Sequence, residues 1–90
     1  MALKKIILAE PFVLPEPEER KKWRYDLDQR IHIVREIAKK YHCLFVSIDG
    51  VINAEGINNE YSVYCVDGVH PTQKGHELIA KQFLKILKKM

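Results

Sequence analysis

A chain of 90 residues with 47% hydrophobic and 30% charged side chains has the balance of one small soluble globular unit, which excludes a disordered tail and a membrane protein. So short a domain buries only about two-thirds or less of its unfolded surface, so its stability is expected to lean on another subunit, and a homo-oligomer is the natural partner. Its net charge of +3 is spread along two apparent helices, with Lys39-Lys40 and Lys88-Lys89 at C-terminal ends where cations are favoured; Trp23, Tyr41 and Phe83 fall at core spacing, so no nucleic-acid partner is expected.

In chain order, the apolar stretch Ile6-Ile7-Leu8-Ala9 is cut off by Glu10 and Pro11. It is too short for a signal-peptide core or a membrane span, and the chain reads as cytoplasmic. Residues 5–9 predict a strand buried on both faces, as in a parallel sheet. Residues 12–17 form a Pro-rich loop. Pro17 at a first helical position, with Glu18 and Glu19 in the first turn, opens a helix. Trp23, Leu27, Ile31, Val34, Ala38 and Tyr41 then recur along one stripe, giving an amphipathic helix over residues 18–41. Residues 43–48 are a second apolar, β-rich run. A helical crossover of this length makes the two strands parallel and the connection right-handed.

From residue 49 to 66 the turn signals Asp49-Gly50, Gly56 and Asn58-Asn59 predict an irregular loop around one helical turn at residues 51–55. A last helix starts near Thr72, a good N-cap residue, with Ile79, Phe83, Ile86, Leu87 and Met90 on its apolar face. Cys43 and Cys65 sit in apolar surroundings without metal or redox spacing, so reduced, buried thiols are expected. His32 and His42 read as surface or boundary residues. His76 reads as a packing or capping residue.

The chemistry concentrates in Val66-Asp67-Gly68-Val69-His70-Pro71-Thr72. An Asp three residues before a His, on a turn that Gly68 permits, can fold its carboxylate onto the imidazole Nδ1. That bond fixes the tautomer and leaves Nε2 to take a proton from a hydroxyl. Pro71 restricts His70 to an extended conformation. The plain alternative is a turn at Asp67-Gly68 and a His70 bonded to backbone. Asp67, His70 and His76 do not have metal-ligand spacing, and no metal is expected.

This stretch resembles the last block of the SGNH (GDSL-type) ester hydrolases, written Asp-Gly-Val-His-Pro and followed by a Gly-His and an amphipathic helix; Asp67, His70, Pro71, Gly75 and His76 all fit. Residues 6–15, IILAEPFVLP, resemble the family strand after its Gly-x-Asn-Asp block. The resemblance implies a partial flavodoxin-like three-layer α/β/α fold over residues 1–90, a single partial domain with parallel strands, a long crossover helix and a C-terminal helix. It implies hydrolysis of a small carboxylic ester without cofactor, with Asp67 and His70 as the catalytic pair. The family's Gly-Asp-Ser nucleophile block and oxyanion blocks are not found. Gly56-Ile57-Asn58-Asn59 only echoes one of them and reads as a turn, while Ser47 and Ser62 read as a strand and a loop residue. The expectation is a truncated hydrolase that is a very poor esterase alone. The rival is a non-catalytic α/β module that binds itself or a partner through its open sheet edge.

Overall fold

The computed structural model describes residues 6–89. The fold is mixed α/β. Strand β1 (Ile7–Ala9) pairs in parallel with β2 (Leu44–Val46), with Ile7 opposite Leu44 and Ala9 opposite Val46. Between them runs a 3₁₀ segment (Glu18–Trp23) that continues into helix α1 (Arg24–Lys40). Pro17 stands just ahead of the 3₁₀ turn as its cap instead of inside it. The predicted crossover helix is thus present, with a tighter first stretch.

Helix α1 ends in a Schellman arrangement. Cys43 N–H donates to the Ala38 carbonyl at 2.9 Å and His42 N–H to that of Lys39 at 3.4 Å. His42 takes the left-handed conformation, φ 57°, that glycine usually supplies. This fold therefore places a histidine at a position normally marked by a helix-stop glycine.

Several expectations are corrected. β1 is half-buried along its length, not buried on both faces, and Lys5 lies outside the described residues. The predicted irregular loop is instead helix α2 (Asp49–Asn58) followed by the short helix α3 (Tyr61–Tyr64), which places Ser62 in a helix. The glycines and asparagines of α2 argue against a helix by propensity. Tertiary contact overrides them: Ile52 is fully buried and joins Leu14 and Cys65 in the central cluster, flanked by Phe12, Tyr61, Tyr64 and Leu78.

The third correction concerns the aromatic core residues. Ile31 and Ala38 of α1 are buried, but Trp23 and Tyr41 are each nearly half exposed. A two-stranded sheet is too narrow to cover the flanks of so long a helix, and Ile33 and Ile37 are left exposed as well.

Helix α4 (Gln73–Leu87) packs on α3, β2 and α2. Thr72 is its N-cap as predicted: Oγ1 accepts from Gly75 N–H at 3.1 Å and donates to the Val63 carbonyl at 2.6 Å. Ile79, Phe83 and Ile86 are half-buried and Leu87 is exposed, while the side chain of Met90 is outside the described residues. His32 and His42 are exposed as expected; His76 is exposed too, so its ring does not pack. No helix among the described residues is long and apolar enough to cross a membrane.

Two carboxylates tie the C-terminal ends of the strands to α2. Glu10, directly after β1, is fully buried; it accepts from Ser47 Oγ at 2.9 Å and Gly50 N–H at 3.4 Å, and pairs with Arg35 at 3.1 Å. Asp49, the first residue of α2, accepts from both Arg24 Nη atoms, at 3.1 and 2.8 Å, and from Val13 N–H at 3.3 Å. A negative charge at a helix N-terminus is favourable in its own right.

Candidate active site

The turn between α3 and α4 is built from the backbone outward. Val66 N–H donates to the His70 carbonyl at 2.9 Å, and Cys65 bridges Pro71 in antiparallel fashion, closing a narrow loop over residues 66–70. Gly68 makes that loop possible. Its φ is +87°, a side chain's Cβ there would lie 2.5 Å from the Glu16 carbonyl oxygen, and its own carbonyl accepts from Leu14 N–H at 2.9 Å. The turn is thereby pressed against the loop that follows β1.

Asp67 occupies the inner side of this turn. Oδ1 accepts from Val69 N–H at 3.1 Å and His70 N–H at 2.9 Å, an Asx turn. Oδ2 lies 2.7 Å from His70 Nδ1. The bond from the His70 ring, followed by those from the His70 and Val69 amides, holds the Asp67 carboxyl down at about 2. An ionised carboxylate only accepts, so Nδ1 must be the protonated nitrogen and the neutral ring keeps Nε2 bare. The His70 side chain is 78% exposed, and Nε2 makes no hydrogen bond among the described residues.

No hydroxyl meets that nitrogen among the described residues. Ser47 donates to Glu10, and Thr72 is committed to the α4 cap. Ser62 lines a hollow of about 310 Å³ together with Leu14, Tyr61, Cys65 and Asp67. A roomier hollow of about 450 Å³ lies by Arg35, Ala38, His42, Cys43 and Phe45; it touches neither Asp67 nor His70, so the site is placed by the side-chain geometry and not by cavity size. Cys43 and Cys65 are both free thiols. Burial, and secondarily the Asp67 charge, push Cys65 up to about 11, which leaves it a protonated, unreactive neighbour.

The lowered Asp67 value has a consequence for stability. Its folded pKa lies below the ordinary carboxylate value of about 3.9, so the stabilisation is present above about 4 and is lost as pH falls through about 2. The difference in urea midpoint between wild type and Asp67→Ala should therefore be full at neutral pH and narrow on acidification below about 4. A difference that stays constant down to pH about 2 would contradict the assigned bonds.

One contact had no signal in the sequence. Arg20, 47 positions earlier, donates from Nε to the Asp67 main-chain carbonyl at 2.8 Å. Asp67 and His70 are local neighbours and could be paired by spacing; Arg20 could not.

A mixed α/β unit carrying a carboxylate-oriented histidine on the turn before its last helix has an arrangement that acyl-transfer hydrolases use. The chain is similar to an acetylxylan esterase from Geobacillus stearothermophilus, 34% identical over 84 residues, a relationship to an esterase. Those residues are 92% of this chain and 37% of that enzyme, so the chain spans little more than a third of the relative's length. No family model matches the chain.

Proposed function

We propose that the chain carries the acid–base part of an SGNH-type carboxylic ester hydrolase site, with Asp67 orienting His70 and His70 Nε2 moving the proton. The observation that carries this reading is the 2.7 Å contact between His70 Nδ1 and Asp67 Oδ2, which leaves Nε2 bare and exposed. In the reaction Nε2 takes the proton of an attacking hydroxyl as its oxygen bonds the acyl carbon. It then returns that proton to the departing alcohol oxygen. Similarity to an acetylxylan esterase supports an acetyl ester of a carbohydrate as the substrate class.

The attacking serine and the oxyanion donors of such a site are proposed to lie outside the residues that align with the relative. The chain alone is then a slow esterase working through His70 and water. Its hydrolysis of p-nitrophenyl acetate should exceed that of free imidazole at the concentration of its 4 histidines; a rate no higher than the imidazole control would sink the reading. A second reading is favoured by the two-stranded sheet and the exposed Ile33 and Ile37 of α1: a non-catalytic module that self-associates. In that case the rate does not depend on His70.

A further inference from the structure

We infer that Arg20 is a positioning residue for the Asp67–His70 pair: it pins the Asp67 turn so that the His70 ring keeps its proton on Nδ1. This rests on the proposed acid–base role of His70. Arg20 lies in the 3₁₀ segment ahead of α1, and its side chain is only 16% exposed. Its Nε donates to the Asp67 main-chain carbonyl at 2.8 Å, while Nη2 stands 3.9 Å from Asp67 Oδ2. Its Cζ lies over the Trp23 ring, 4.1 Å from the centroid. Its stem also reaches Gly68, with Cγ 3.1 Å from where a Cβ would stand.

The distances decide what Arg20 does. Asp67 Oδ2 is 2.7 Å from His70 Nδ1 and 3.9 Å from Arg20 Nη2. Arg20 therefore does not compete with the imidazole for its acceptor. Its strong bond goes to the main chain, which fixes the backbone from which the carboxylate projects. The weaker, longer charge contact reaches the same oxygen, Oδ2, that the ring bonds. Only a planar fork can bond a carbonyl through Nε, face a carboxylate through Nη2 and stack on an indole at once; a lysine offers a single point charge. The Leu14 amide anchors the turn at Gly68, and the Val69 and His70 amides hold Oδ1, but among the described residues only Arg20 holds the Asp67 carbonyl itself, so its loss loosens the carboxylate against the ring.

The test reads the tautomer of His70 by imidazole ¹⁵N shifts in the intact chain, in alkaline solution. Wild type is expected to show the Nδ1–H form, and Asp67→Ala to lose it. Arg20→Met and Trp23→Ala are expected to shift the ring toward the Nε2–H form while amide dispersion shows both variants folded. Should Arg20→Met not fold, Trp23→Ala decides, because it removes only a half-exposed stacking partner. Loss of the Nδ1–H form in Asp67→Ala, with wild-type spectra in the folded Arg20 or Trp23 variant, overturns the role of Arg20 and leaves the pair intact. A wild-type ring that is not in the Nδ1–H form overturns the acid–base reading, and the role of Arg20 with it.

Discussion

Gly75→Ala is expected to cost about 3 kcal/mol or more, the upper range for forcing an added methyl into a packed site. Gly75 is in the first turn of α4, and a Cβ there would stand 2.1 Å from the Tyr64 carbonyl oxygen and 3.1 Å from Pro71 Cβ. That carbonyl cannot swing away cheaply. It accepts from Thr72 N–H at 2.9 Å, the bond that seats the α4 cap on the end of α3. Relief means lifting α4 off its neighbours, or breaking the cap beside the His70 turn. In a domain of this size each kcal/mol moves the unfolding midpoint by roughly 4–8 °C, so a fall of more than about 12 °C is expected by thermal melting. An unchanged midpoint would show that the two helices do not meet in this way.

Glu10→Ala should be the next most damaging change. It empties a fully buried site and strips partners from Ser47 Oγ and the Gly50 amide. Together these effects come to about 2–4 kcal/mol. Glu10→Gln separates the hydrogen bonds from the ion pair. Both bonds go to Oε1, which the amide oxygen can replace, and only the Arg35 pairing is lost. The Arg35 side chain is 57% exposed and can turn to water, so this variant should cost about 1 kcal/mol or less. Urea unfolding of the pair checks this: equal losses in Gln and Ala would mean the charge, not the buried hydrogen bonds, secures the strand ends.

The parts legible from sequence were those whose cause is local. The α1 stripe through Ile31 and Ala38 and the Thr72 cap follow from spacing within a segment, and the parallel pairing from the helical crossover between two adjacent runs. The contact of Asp67 with His70 was legible for the same reason, since three positions on a turn bring the two groups together. What stayed hidden depends on distant partners. Helix α2 contains Gly50, Gly56 and Asn58, which read as turn signals around a single helical turn, yet Ile52 is drawn into the core and Asp49 is bound by Arg24 and Val13. Trp23 carried a core spacing, but its ring serves as a platform for Arg20 and remains nearly half exposed. Glu10 read as the residue that ends a strand, and nothing nearby in sequence announces that it is buried against Ser47.

The most direct test of the central claim is the hydrolysis of p-nitrophenyl acetate by wild type beside His70→Ala, at equal concentration and neutral pH. General acid–base catalysis contributes about 10²–10⁴-fold in a complete site, and much less is expected where water is the only attacking group. His70→Ala should nevertheless lose most of the chain's activity above background, leaving only what the other exposed histidines supply, with Asp67→Ala between the two. Identical rates in wild type and His70→Ala would contradict the account.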